Sequence, residues 1–174
     1  LLNKKTLGLV GCGRIGQHIA RYGQAFGMEV IGFDPYLREW PSTIRSVELP
    51  DLMSMSDVVS IHVHLTEETD GLIDRELLGK MPRGSFLINT SRAKVVDESA
   101  LLELLHKNHF GGVGLDVLTD EPEIENHPLV DFARSNDKLI ITPHCGGYSP
   151  DAVRIVCRRA AEKVLDLLQE NCNR

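Results

Sequence analysis

Gly11, Gly13 and Gly16 fall in the order G-x-G-x-x-G, with Cys12, Arg14 and Ile15 between them. Alone, that spacing serves ordinary turns as readily as it serves phosphate binding. Its surroundings sharpen it: an apolar strand-like run precedes the motif, a helical pattern follows, and Asp34 stands eighteen residues beyond Gly16 after a second apolar run. This is the context of a dinucleotide-binding turn. Gly11 would permit the tight turn, Gly13 the approach of a pyrophosphate, and Gly16 the close packing of helix on strand. The amides of Arg14 and Ile15 would meet the phosphates at the positive end of the helix. Asp34 would accept hydrogen bonds from the adenosine ribose hydroxyls, and its charge would repel a 2′-phosphate. The cofactor read from these residues is therefore NAD rather than NADP.

Such a turn needs a sheet to carry it. Apolar runs predict strands over 6–10, 30–33, 44–47, 58–63, 85–89, 112–117 and 139–142, and helices are predicted over 14–26, 50–55, 75–81 and 98–107. Asp74 and Asp97 are placed as N-caps. A last helix opens with Ser149 as cap, Pro150 in the first turn and Asp151 near the positive dipole end. Its Val153, Val156, Ala160, Val164 and Leu167 recur at helical spacing, so one face is expected to be buried. Strand and helix alternate throughout and no linker composition divides the chain. The expectation is one α/β domain over residues 1–174, a Rossmann-type, doubly wound parallel sheet of about seven strands with helices on both faces.

Composition narrows the partners. A net charge of −6 with no dense Lys/Arg stripe argues against nucleic acid and anionic membrane. No apolar run approaches the roughly 18 residues of a membrane span. Cys12, Cys145, Cys157 and Cys172 are widely spaced and form no CxxC pair, so neither structural zinc nor a disulfide framework is expected. They read as reduced thiols of a cytoplasmic protein, with no metal.

Beyond the glycine turn, four segments resemble the D-isomer-specific 2-hydroxyacid dehydrogenase family in order and spacing. They are Val58-Val59-Ser60-Ile61-His62-Val63-His64-Leu65-Thr66, Ser85-Phe86-Leu87-Ile88-Asn89-Thr90-Ser91-Arg92, Gly114-Leu115-Asp116-Val117 leading to Glu121-Pro122, and Thr142-Pro143-His144-Cys145-Gly146-Gly147. The resemblance implies reversible hydride transfer between nicotinamide and C2 of a D-2-hydroxy acid. It implies that Arg92 binds the substrate carboxylate, that His144 exchanges the proton, and that Glu121 pairs with His144. Val63, Thr90, Ser91, Arg92, Asp116, His144, Gly146 and Gly147 join the cofactor-binding set, Asp116 at the carboxamide. The residue types suit the chemistry: a guanidinium matches a carboxylate bidentately, and imidazole exchanges protons near neutrality when a carboxylate fixes its tautomer. Asp120, adjacent to Glu121, is the alternative partner.

Two positions depart from the family pattern, His64 for proline and Lys94 for glycine; neither removes a catalytic group. The family also implies a second, substrate-binding domain, expected to lie outside this chain, so that the chain alone is expected to be inactive. A small 2-hydroxy or 2-keto acid substrate and a homodimer are the implied partners, in an enzyme akin to phosphoglycerate dehydrogenase or the glyoxylate/hydroxypyruvate reductases. The competing reading is a binding module of the same fold that senses NAD, of the corepressor type. Formate dehydrogenases of similar pattern pair the histidine with Gln, against Glu121 here.

Overall fold

The computed structural model describes residues 1–172. They form two compact units, one covering Leu1–Thr142 and one beginning at Pro143. The first contains one seven-stranded sheet, parallel throughout, in the order β3-β2-β1-β4-β5-β6-β7. Its strands are β1 (Thr6–Val10), β2 (Glu29–Phe33), β3 (Arg45–Ser46), β4 (Val58–Ile61), β5 (Phe86–Asn89), β6 (Gly112–Leu115) and β7 (Leu139–Ile141). The chain steps outward from β1 to β3, returns to place β4 on the other flank of β1, then continues outward to β7. The strand order thus reverses between β1 and β4, and such switch points open a crevice beyond the carboxyl ends of the strands.

Alternation along each strand divides the core between the two faces of the sheet. Leu7, Leu9 and Val30 pack with Ala20 of α1 (Arg14–Ala25) and with Ile44. Val10, Ile31, Val59, Ile61 and Leu87 point the other way. There they meet α2 (Leu49–Met55), α3 (Arg75–Lys80), α4 (Glu98–His106) and α5 (Pro128–Ala133) through Leu52, Leu78, Leu101 and Phe132. Asp74 and Asp97 cap as expected, accepting from the amides of Leu77 and Ala100, each at 2.9 Å.

Three strands end earlier than their composition predicts. The last residue pairs are Val10 with Ile61, Ile61 with Asn89, Asn89 with Leu115, and Leu115 with Ile141; His62, Asp116 and Thr142 each give one further amide, to Val10, Asn89 and Leu115, and there the pairing stops because the adjoining strands do. Helix α5 was not anticipated. It is six residues long and opens on His127, an uncommon cap whose side chain accepts from the Leu129 amide.

The second unit is a loop followed by α6 (Pro150–Cys172). Ser149 caps it as predicted, Oγ accepting from the Ala152 amide at 3.1 Å. The expected burial of its apolar stripe is not observed: Val153, Val156, Ala160, Val164 and Leu167 are all exposed. Helical periodicity specifies a face suited to burial, but not which molecule covers it.

Candidate functional site

The glycine turn follows β1 and is built from three different constraints. Gly11 has φ 91°, a left-handed conformation that disfavours a side chain, and a Cβ there would lie 2.8 Å from the His62 carbonyl oxygen. At Gly16 a Cβ would fall 2.2 Å from the Gly11 carbonyl oxygen, so the first turn of α1 rests directly on the strand end. Gly13 differs, because its Cβ would meet nothing within 4 Å. Its backbone is open on the side where the amides of Arg14 and Ile15 begin the helix. Both of those residues are exposed.

Asp34 follows β2 and is fixed by backbone donors. One carboxylate oxygen accepts the Cys12 amide at 2.9 Å and the other the Tyr36 amide at 3.0 Å. Each oxygen keeps a lone pair for another donor. The carboxylate stands at the wall of a cavity of about 720 Å³, bounded on its other sides by Gly11, Gly13, Phe33, Val63 and Leu72. Tyr36 donates its hydroxyl to Glu68 at the same cavity, and that hydrogen bond raises the phenol above its usual value. His62 and His64 also line it. Burial holds the His62 imidazole below its usual value, and its Nε2 lies 2.9 Å from Ser60 Oγ. Cys12 is fully buried; burial and then the Asp34 charge push its thiol up to about 12, which leaves it an inert packing group.

Past β5, Asn89 organises the turn that carries the next candidates. Its buried side chain accepts from the Ser91 amide at 3.0 Å and the Ser91 hydroxyl at 2.9 Å, and donates to the Arg92 carbonyl at 2.9 Å. Thr90 and Arg92 are exposed and Ser91 is half-buried. The Arg92 guanidinium turns back to donate to the Ser91 carbonyl at 2.7 Å. Asp116, buried beyond β6, accepts from the Thr142 hydroxyl at 2.5 Å. Gly11, Asp34, Val63, Arg92 and Asp116 therefore all follow the carboxyl ends of their strands, on one edge of the sheet.

Glu121 lies on the exposed loop between β6 and α5, where its Oε1 accepts from the Leu118 amide at 2.6 Å. Asp120 beside it adopts φ 64°. His144, Gly146 and Gly147 belong to the second unit and are exposed. His144 has φ 50°, a strained conformation for a non-glycine residue and one found disproportionately at functional sites. Sequence reasoning assigned no role to Asn89, or to the cluster of Glu98, Thr119 and His127 behind the Glu121 loop. The Asn89 turn had a local signal, an Asn two residues before a Ser at a strand end; the cluster joins positions far apart in sequence and had none. Among the described residues no group of three or more His, Cys, Asp or Glu side chains is placed to hold a metal ion. No helix among them is long and apolar enough to cross a membrane.

The family described as D-isomer specific 2-hydroxyacid dehydrogenase, NAD binding domain, matches residues 1–146. The chain is 40% identical over 168 residues to D-3-phosphoglycerate dehydrogenase of Bacillus subtilis (strain 168), covering 92% of this chain and 30% of that protein. The D-lactate dehydrogenase of Aquifex aeolicus, solved with NAD and lactic acid, superposes with a TM-score of 0.87 at 35% identity, over 97% of this chain and 55% of that one. An acyclic imino acid reductase solved with NADPH and D-Arg gives a TM-score of 0.88 at 31% identity, over 97% of this chain and 52% of that one. Across these curated relatives the chain spans between 28% and 52% of their length.

Proposed function

The chain belongs to the D-isomer-specific 2-hydroxyacid dehydrogenase family as its NAD-binding domain, and we propose from that premise that the protein it forms part of reduces 2-keto acids to D-2-hydroxy acids, and the reverse. The observation that carries the proposal is the single sheet edge at which the glycine turn, Asp34, Arg92 and Asp116 emerge. It pairs a cofactor cavity with a guanidinium able to grip a carboxylate.

The cavity fits the dinucleotide on its own terms: an open Gly13, a helix N-terminus, and an Asp34 already oriented by two amides. Asp34, Glu67 and Glu68 are among its lining residues, and no Lys or Arg is. A 2′-phosphate would face those carboxylates without a countercharge, so NAD(H) is the preferred form.

When bound, the nicotinamide supplies or accepts the hydride. Arg92 holds the substrate carboxylate and polarises the C2 oxygen. His144 gives the proton to that oxygen in reduction and takes it back in oxidation, and Glu121 orients the imidazole and stabilises its protonated form. Asp116 receives the carboxamide, while Ser91, Thr90, Gly146 and Gly147 frame the nicotinamide end. A second domain supplies the opposite wall of the cleft, and a homodimer is the assembly the family implies.

The test is kcat/KM against pH in both directions for the full-length polypeptide. Glu121→Gln should move the alkaline fall-off of reduction to lower pH and harm reduction more than oxidation at neutrality. Arg92→Lys should lower both directions without moving the profile. An unmoved profile in Glu121→Gln would transfer the pairing to Asp120.

A further inference from the structure

We infer that Glu98, Thr119 and His127 are positioning residues that clamp the loop bearing Glu121, an inference that rests on Glu121 acting with His144. The Glu98 carboxylate accepts the Thr119 amide at 3.1 Å through Oε1 and the Thr119 hydroxyl at 2.5 Å through Oε2. His127 Nε2 lies 3.2 Å from the same Oε2 and 3.1 Å from the Thr119 hydroxyl oxygen. The other ring nitrogen, Nδ1, accepts from the Leu129 amide, so the network assigns the ring proton to Nε2, aimed at Glu98. Three donors thus converge on one acceptor-only group. The side chains involved are nearly buried, His127 at 9% and Glu98 at 13% exposure, where a donor left without a partner is heavily penalised.

Thr119 and His127 bracket residues 120–126 of the loop, and Glu121 sits between them. A single carboxylate from another element ties both bracketing residues. Glu98 is not needed to cap α4, since Asp97 already does so. Packing anchors the loop at Leu118 and Ile124, which join the core, but a cavity of about 350 Å³ lies against Asp120 and Glu123, on either side of Glu121, lined also by Ser99, Leu102 and the clamp. With that space behind it, this part of the loop depends on polar ties as well, and the Leu118 amide then sets the Glu121 carboxylate relative to the fixed Thr119. Misplacement of a reacting group by about 1 Å can cost on the order of a hundredfold in rate.

The experiment uses the full-length polypeptide and the variants Glu98→Gln, His127→Asn and Glu121→Gln. Glu98→Gln keeps the shape but turns an amino group toward a donor. His127→Asn retains a good helix cap but does not reach Glu98. Both should lower kcat/KM for keto-acid reduction by about tenfold or more and leave NADH affinity unchanged. Both should also shift the alkaline fall-off to lower pH, as Glu121→Gln does. Combining Glu98→Gln with Glu121→Gln should produce no shift beyond that of Glu121→Gln alone. A wild-type pH profile in both clamp variants, while Glu121→Gln shifts it, overturns the clamp and leaves the Glu121 assignment standing. Loss of NADH affinity in step with activity overturns it as well, since that marks a general structural defect. If Glu121→Gln itself leaves the profile in place, the assignment falls and the clamp's role with it. Should Glu98→Gln fold poorly, His127→Asn decides, together with faster hydrogen exchange at the Thr119 amide.

Discussion

Replacing Gly13 and Gly16 by alanine separates what the glycine turn does for the fold from what it does for the cofactor. At Gly16 the new methyl would lie 2.2 Å from the Gly11 carbonyl oxygen, so α1 must withdraw from β1 by roughly 1 Å to restore contact distance. Overpacking of this kind costs about 3 kcal/mol, and the lower chain entropy of alanine returns about 1 kcal/mol. A net loss near 2 kcal/mol lowers the Tm of a chain of this size by about 4–8 °C. At Gly13 the backbone is extended, with φ −68° and ψ −159°, and the methyl enters open space. Its entropic gain and slightly poorer capping nearly cancel, so Tm should move by less than about 2 °C. On the proposed function the pyrophosphate approaches through that open space, so NADH affinity should fall about 10- to 100-fold, or about 1.4–2.8 kcal/mol. Calorimetric melts without ligand and NADH titrations on both variants give the comparison. Wild-type affinity in Gly13→Ala, or a wild-type melt in Gly16→Ala, would refute this division of labour.

Asp34→Ser should narrow the preference for NADH over NADPH by weakening the former and admitting the latter; titration with both cofactors checks it, and an unchanged ratio would remove Asp34 from the choice. Cys12 should resist thiol reagents at pH 8 in the native protein and react on unfolding, while the exposed Cys145 and Cys157 label readily; peptide mapping after a short pulse distinguishes them. Asp57 links β1 to β4, accepting Lys5 Nζ at 2.7 Å and the Thr6 amide at 2.9 Å, and these contacts lower its carboxyl from 3.8. A lowered folded value means stability that is present above 3.8 and lost as pH falls through the folded value. Asp57→Asn should therefore melt lower at neutral pH, by no more than about 3 °C because Lys5 is exposed and screened, and the gap should close in acid.

What the sequence made legible was local. The glycine turn and Asp34 stand where their spacing puts them, after β1 and β2, because each position depends on its own backbone or charge, and Asp74, Asp97 and Ser149 cap where they are expected. Strand ends were less legible, because a strand stops where its neighbour's hydrogen bonds stop: Val63 and Val117 look like strand residues but find no ladder. The α5 helix escaped because a histidine cap and six residues leave little periodicity, although Pro128 in its first turn was a usable signal. The period of α6 predicts an apolar stripe, which is present, and its burial, which is not, since the period carries no information about a partner. Glu98 and His127 are 29 residues apart, and only the fold brings their side chains together.

Turnover decides whether this domain serves an enzyme or a cofactor sensor. NADH oxidation by the full-length polypeptide would be followed over a panel of 2-keto acids, with the stereochemistry of any product determined. Multiple turnovers with at least one 2-keto acid, a D-2-hydroxy acid product, and loss of that activity in His144→Ala with NADH binding retained are the expected results. Tight NADH binding with no turnover of any 2-keto acid, or activity undiminished in His144→Ala, would contradict the proposed function.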